Sequence, residues 1–194
     1  GTVSIGADGT TTQFTGGLIS IAGSSQNLNG TIKTIDTNMT ISDGEAITLS
    51  GSTTLSSIGT GVDGNDGNIT LGGIVNSATE GTDETLTVDV GTGTFQIGGI
   101  VGGVSNKALG AIDINNTGGN FDLNAAITLA ASINVSGDSN LGNSITTSGA
   151  QTYGGTTTLS ADVTLDSTGD TNSDDISLGI ITAEANESLV LDAG

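Results

Sequence analysis

The sequence predicts an all-β protein built as a parallel β-solenoid, in which the chain winds in coils around one axis. Three observations favour this fold. Short apolar segments with period-2 alternation are separated by Gly, Asn, Asp and Ser. A long stretch of the chain is repeated. In the second copy the strand-like segments are kept, while the loops between them are shorter. The regular two-residue Asn-Gly or Asp-Gly turns of antiparallel meanders are missing from the pattern.

The repeated stretch covers residues 48–91 and returns at residues 158–194. The matching segments are TLSGSTTL and TLSADVTL, ITLG and ISLG, and LTVDVG and LVLDAG, at Thr48 and Thr158, Ile69 and Ile176, and Leu86 and Leu189. The lag between copies shrinks only in the connections, as expected where strands stack and loops lie on the surface. We therefore expect residues 1–194 to form a single repetitive solenoid segment, part of a longer array.

The predicted strands are short segments of two to six residues with period-2 alternation. In chain order they are Val3–Ile5, Leu18–Ile21, Thr31–Ile35, Met39–Ile41, Ile47–Leu49, Thr54–Leu55, Ile69–Leu71, Leu86–Val90, Phe95–Ile97, Leu109–Ile114, Phe121–Leu123, Ile127–Leu129, Ile133–Val135, Ser144–Thr146, Thr157–Leu159, Val163–Leu165, Ile176–Leu178 and Leu189–Leu191. Coils of about 20 residues would each carry two or three of these strands, stacked about 4.8 Å apart. Zero Pro leaves every backbone N–H available for such ladders.

Composition and charge exclude several classes of function. Lys33 and Lys107 are the only cations against 21 acidic residues, giving a net charge of −19. Such a chain repels phosphate backbones, so neither nucleic acid binding nor membrane insertion is expected. With no His and no Cys, the sequence lacks thiolate zinc sites, disulfides and nucleophilic triads. We therefore predict that the protein is not an enzyme.

Several segments resemble the degenerate repeats of large bacterial surface and secreted exoproteins of the filamentous-haemagglutinin type. The likeness is carried by Ala150–Gly169, by Gly93–Gly118 and by the ITLGG and LTVDVGTG segments. The resemblance implies a right-handed parallel β-helix, exported to the cell surface or medium, that holds an adhesive tip away from the cell or forms fibres. The Asn-Pro motifs of that family's secretion domain have no counterpart here, because the chain contains no Pro.

The acidic loop Gly61–Asn68 is the best candidate for a binding site. Its side chains Asp63, Asn65 and Asp66 are candidate Ca²⁺ ligands, because Ca²⁺ takes six to eight oxygen ligands from flexible acidic loops. The second copy carries a related loop at Gly169–Asp175. The spacing fits neither the EF-hand nor the calcium-binding nonapeptide repeat, and a solvated turn between coils is the alternative interpretation.

Two other groups of residues have a structural interpretation. Adjacent Asp174 and Asp175 resemble the paired carboxylates of glycosidases, but neighbours in a strand point to opposite faces. The aromatic residues lie far apart beside Gly or a strand and are expected to fill the core: Phe14, Phe95, Phe121 and Tyr153.

The sequence therefore predicts a structural or adhesive shaft located outside the cell or on its surface. Its expected partners are a host or neighbouring cell surface, or further copies of itself joined end to end or laterally. A Ca²⁺-linked surface-layer or matrix polymer is the alternative function. A polysaccharide-acting β-helix enzyme is a more distant one, since the chain has no Trp or Arg to hold acidic sugars.

Overall fold

The computed structural model describes residues 1–7, 9–15, 18–41, 44–59, 65–81, 84–104, 107–168 and 174–194. These residues form nineteen β-strands and no α-helix, so the described chain offers no helix with the length and apolarity to cross a membrane. The strands are β1 Thr2–Ile5, β2 Thr11–Gln13, β3 Ile19–Ile21, β4 Ser25–Lys33, β5 Met39–Ile41, β6 Ala46–Ser56, β7 Ile69–Leu71, β8 Val75–Ser77, β9 Leu86–Asp89, β10 Thr94–Ile97, β11 Leu109–Asn115, β12 Asn120–Leu123, β13 Ile127–Val135, β14 Asp138–Leu141, β15 Ile145–Thr147, β16 Gln151–Leu159, β17 Val163–Ser167, β18 Ile176–Ala183 and β19 Leu189–Ala193.

All pairings between these strands are parallel, and they form three columns that we call the first, second and third faces. The first face stacks β1, β4, β6, β8, Val101, β13, β15, β17 and β19. The second face stacks β2, β4, β6, β9, β11, β13, β16 and β18. The third face stacks β3, β5, β7, β10, β12, β14, β16 and β18. The chain visits the faces in this order, so the predicted parallel solenoid is confirmed.

Coil length varies along the solenoid. Stacked residues lie 17 positions apart at Ala130 and Thr147 and 33 positions apart at Thr53 and Leu86. Strands β6 and β9, which carry the longest offset, still pair in register. A difference in the number of residues between stacked positions therefore leaves this ladder intact.

The core is a single stack of inward side chains. On the first face, one inward file runs Val3, Gln26, Ile47, Val75, Val101, Ile127, Ile145, Leu165 and Leu191. Phe95 and Phe121 are fully buried on the third face and stack with their ring centroids 5.7 Å apart. Tyr153 is also buried, and its hydroxyl donates to Gln151 Oε1 at 3.1 Å. The aromatic residues of the interior are thus core fillers, as predicted.

Glycines stack at the corner between the second and third faces. This glycine file consists of Gly67, Gly93, Gly119, Gly137, Gly155 and Gly179. A Cβ added at Gly119 would lie 2.0 Å from the carbonyl oxygen of Gly93, and one at Gly93 would lie 2.3 Å from that of Gly67. Only a residue without a side chain lets the backbones of successive coils approach this closely. The high Gly content therefore has a steric cause at this corner.

The two related stretches each span four consecutive strands but occupy different faces. The first covers parts of β6 through β9, and the second covers parts of β16 through β19. Thus Leu86 lies on the second face and its counterpart Leu189 lies on the first face. The sequence repeat keeps the order of strands, but it does not correspond to a whole number of coils.

Candidate functional site

The acidic loop predicted to bind Ca²⁺ is only partly within the described residues. Asp63 lies outside them, Asn65 is exposed and Asp66 is half-buried. The Asp66 carboxylate connects two coils: its Oδ1 accepts the Gly59 N–H at 3.0 Å, and its Oδ2 accepts the Thr92 N–H at 2.9 Å. The Thr92 hydroxyl also donates to Oδ2 at 3.2 Å. Asp66 is therefore a corner clamp that ties its coil to the next one.

The electrostatics of Asp66 follow from these contacts. The backbone N–H of Thr92, followed by that of Gly59, donates to the carboxylate and holds the pKa of Asp66 below its ordinary value of 3.8, against a smaller effect of burial. Both of its oxygens already have donors. Among the described residues, no group of three or more Asp, Glu, His or Cys side chains is placed to hold a metal ion. The Ca²⁺ site at Asp63, Asn65 and Asp66 stays a prediction.

The related loop of the second copy begins outside the described residues, which resume at Asp174. Asp174 is buried, with 6% of its surface exposed, whereas Asp175 is exposed. The carbonyl of Asp175 accepts the Gln151 N–H at 3.0 Å, which places it at the start of the ladder between β16 and β18. The two side chains thus differ in burial, as expected for neighbours that point to opposite sides.

Two straight files of polar side chains run along the outside of the solenoid. The second-face file is Thr11, Thr31, Thr54, Thr87, Asp113, Asn134, Thr152 and Ser177. The third-face file is Ser20, Thr40, Thr70, Gln96, Asp122, Asn140, Thr158 and Thr182. Successive members stand about 4.8 Å apart, the spacing of paired strands. Threonines that look scattered in the sequence therefore form regular outer surfaces.

A buried polar cluster lies where the chain leaves β8. Glu84 has 7% of its surface exposed, and its carboxylate accepts the hydroxyls of Ser77 and of Thr79, the latter at 2.7 Å. Burial acts to raise the pKa of Glu84, but the Ser77 and Thr79 hydroxyls and nearby backbone donors outweigh it and hold that pKa below 4.5. Lys107 Nζ donates to the neighbouring Ala78 carbonyl at 3.3 Å. Sequence reasoning missed this cluster, because nothing in the local pattern marks Glu84 as buried.

Apolar side chains are exposed at both ends of the solenoid. At one end, Ile180 is 67% exposed, Val190 53% and Leu191 50%. At the other end, Leu18 is 69% exposed beside an apolar cavity of 350 Å³, whose lining includes Val3, Ile5, Phe14 and Ile19. These ends are the largest departure from the polar exterior of the described coils.

Compared with known proteins, the chain matches no family model, no curated protein and no solved structure.

Proposed function

We propose that this chain is the shaft of an extracellular or cell-surface protein, a right-handed β-solenoid of the filamentous-haemagglutinin type. The observation that supports this best is the uninterrupted parallel stacking of strands on three faces around one apolar core. Right-handed winding is expected because crossover connections between parallel strands are almost always right-handed. Coils of about 20 residues describe its shorter turns, such as the step from Ile145 to Leu165.

A shaft needs stiffness along its axis, and two features of this chain supply it. Backbone hydrogen bonds run parallel to the axis on every face, because they join strands of successive coils. Side-chain hydrogen bonds between coils add to them at the corners. The backbone N–H of Asn68 donates to Asn38 Oδ1, and the backbone N–H of Thr94 donates to Asn68 Oδ1, each at 2.8 Å. A net charge of −19 keeps such an object soluble. Its role would be to provide reach and a repetitive surface.

Single-molecule pulling between the two ends tests this function. A shaft should resist extension and then release its coils in successive steps, because each coil contacts only its neighbours. The contour length gained in each step should correspond to about one coil of residues. Extension at low force in one featureless event would contradict a load-bearing role. Adhesion is tested separately with beads coated with this chain alone. If such beads bind to cells, the shaft itself is adhesive and needs no separate adhesive tip.

A Ca²⁺-linked surface layer or matrix polymer is the second candidate, supported by 21 acidic residues against two lysines. In this case Ca²⁺ would bridge the acidic surfaces of neighbouring shafts, so light scattering should rise with Ca²⁺ and fall with EDTA. Scattering that is unchanged by either addition would exclude this candidate. A polysaccharide-degrading activity is the least supported, and incubation with acidic polysaccharides would test it.

A further inference from the structure

A straight row of outward side chains runs along the first face. The residue just before each inward residue of this face points outward, because neighbours in a strand alternate between faces. The ladder is continuous at the centre of the row, where the Val75 N–H donates to the Ile100 carbonyl at 2.9 Å. We call this row the first-face file: Thr2, Ser25, Ala46, Ile74, Ile100, Ala126, Ser144 and Thr164.

The centre of the first-face file is apolar and open to solvent. Ile74 is 40% exposed and Ile100 is 41% exposed, and the two lie in successive coils. Each follows a Gly-Gly pair, so the adjoining corner has no side chains to cover it. Val104 is 47% exposed beside them, with its N–H donating to Asn76 Oδ1 at 3.2 Å. Exposed apolar side chains grouped in the middle of a polar shaft indicate a contact surface.

The first face also lacks charge, although the chain carries a net charge of −19. No member of the first-face file is charged, and neither is any described residue of the next outward row from Ser4 to Thr146. Carboxylates stand on the other faces instead, with Asp113 in the second-face file and Asp122 in the third-face file. A basic partner would be drawn to those faces. A second copy of this acidic chain can approach closely where both surfaces are uncharged, which is the first face.

The residue types of the first-face file read the same in both directions. From the gap between Ile74 and Ile100, the file runs Ile, Ala, Ser, Thr towards Thr2 and also Ile, Ala, Ser, Thr towards Thr164. A two-fold axis through this gap, parallel to the strands, reverses the order of coils and turns one file onto another. Like residues then meet: Ile74 faces Ile100, Ala46 faces Ala126, and Ser25 faces Ser144. A two-fold contact requires such a self-complementary surface.

We propose that two copies of this chain pair side by side and antiparallel through their first-face files, with Ile74 of each copy facing Ile100 of the other. Glu45, which precedes Ala46, would face Ala125 of the second copy instead of another carboxylate. The pairing buries the exposed isoleucines and keeps the acidic faces apart. It rests on the proposed shaft function and names the partner of the shaft, a second copy.

The size of the contact sets its strength. From Ser25 to Ser144 the file spans about 24 Å, and the next outward row lies about 7 Å away along the strands. The contact therefore covers about 200–300 Å² of each copy, less than the roughly 800 Å² of a standard interface. We expect weak, reversible pairing that strengthens with salt, because salt screens the repulsion between two chains of charge −19.

One acidic substitution in each of two faces tests the surface. Ile100→Asp places a carboxylate in the contact and should weaken self-association by about tenfold or more, measured by sedimentation equilibrium at high protein concentration. Gln96→Asp is the matched control, because it adds the same charge to the third-face file a few residues away. It should change association little. Equal loss in the two variants, with unchanged urea midpoints, would assign the effect to net charge and overturn the pairing.

Charge exchange tests the antiparallel order. Ile74→Lys alone and Ile100→Glu alone should each associate weakly. A mixture of the two variants should pair again, because the ammonium group introduced in one copy faces the carboxylate introduced in the other. In a parallel pair position 74 would face position 74. Recovery in a mixture of Ile74→Lys with Ile74→Glu would therefore overturn the antiparallel order.

Two further outcomes separate this pairing from the proposed function. A parent chain that stays monomeric at high concentration and high salt would overturn the pairing. Stepwise release of coils in the pulling experiment would then leave the shaft intact without this partner. Association that requires Ca²⁺ and persists in Ile100→Asp would place the contact on the acidic faces and would also overturn the pairing.

Discussion

The two related stretches of the chain differ in what covers them. Leu86 and Val88 of the first stretch are completely buried, whereas Leu191 of the second is 50% exposed and Leu189 is only partly buried. Their sequences, LTVDVG and LVLDAG, both alternate in the same way. The difference arises because β9 has paired strands on both sides, while β19 pairs only with β17 among the described strands. Burial in a solenoid is thus set by position in the stack as well as by sequence.

The largest expected effect comes from truncating corresponding leucines in the two stretches. Leu86→Ala leaves a cavity in a closed core and should lower the free energy of unfolding by about 2–5 kcal/mol. Leu189→Ala should cost much less, because its site is partly open to water. Urea unfolding measures both variants, with hydrogen exchange to locate the coils affected. Equal losses would show that the terminal coil is as well covered as the inner one.

A neighbouring pair of glycines tests contact with the coil beneath. A Cβ at Gly99 would lie 2.1 Å from the Gly73 carbonyl oxygen, whereas the nearest atom to one at Gly98 is 3.5 Å away. Gly99→Ala must therefore shift the backbone, at an expected cost of about 1–3 kcal/mol. Gly98→Ala adds a methyl group at ordinary contact distance and should be nearly neutral. Thermal unfolding compares the two, and similar melting temperatures would contradict this close approach of coils.

Acid should destabilise the buried cluster around Glu84 more than the exposed hydrogen bonds between Asp162 and Ser188 in the last coil. The folded pKa of Glu84 lies below its ordinary value of 4.5, so its ionised form contributes stability above that pH. This contribution is lost as the pH falls through the lower, folded pKa. Glu84→Gln should therefore be less stable than the parent at pH 7 and lose less stability than the parent on acidification below pH 4.5. Urea midpoints at pH 7 and pH 3.5 measure both effects.

Asp162 provides the control for this acid response. Its Oδ1 accepts the N–H and the hydroxyl of Ser188, both at 2.8 Å, and the backbone donor in particular lowers the pKa of Asp162. Because the clamp is exposed at the terminal coil, Asp162→Asn should change the acid response little. If the acid response changed more in Asp162→Asn than in Glu84→Gln, the buried cluster around Glu84 would not be the more acid-sensitive of the two regions.

The smallest expected effect concerns Ca²⁺. If the acidic loop binds the ion, Ca²⁺ should raise the melting temperature of the parent chain and EDTA should reverse the shift. Asp66→Asn should abolish the response, while Asp162→Asn should retain it. An identical response in the parent and in Asp66→Asn would remove Asp66 from the set of ligands.

Strands with aliphatic inward residues could be predicted from the sequence. Met39–Ile41 and Ile69–Leu71 match β5 and β7. The missed segments place polar residues in the core: Gln26 in the first half of β4, Ser139 in β14 and Gln151 in the first half of β16 are buried. Their alternation is invisible to a hydrophobic pattern, because the inward residue is itself polar.

The sequence also could not predict which polar residues meet across coils. Gln151 Nε2 is satisfied by the Asp166 carbonyl at 2.8 Å, which belongs to a different strand. Asp66 stood out as a candidate ligand because of its acidic neighbours, but the donors from Gly59 and Thr92 depend on coil register. Register depends on loop lengths that vary from coil to coil, so contacts of this kind appear only in the folded chain.

The spacing of spin labels along the second-face file tests most directly whether the coils climb along one axis. With one label at Thr31 and the other at Asn134, Thr152 or Ser177, each pair differs from the next by one coil. We predict that the distances measured by pulsed electron resonance increase in that order, by about 5 Å at each step. Distances that stay constant, or that rise and then fall along this series, would contradict the solenoid.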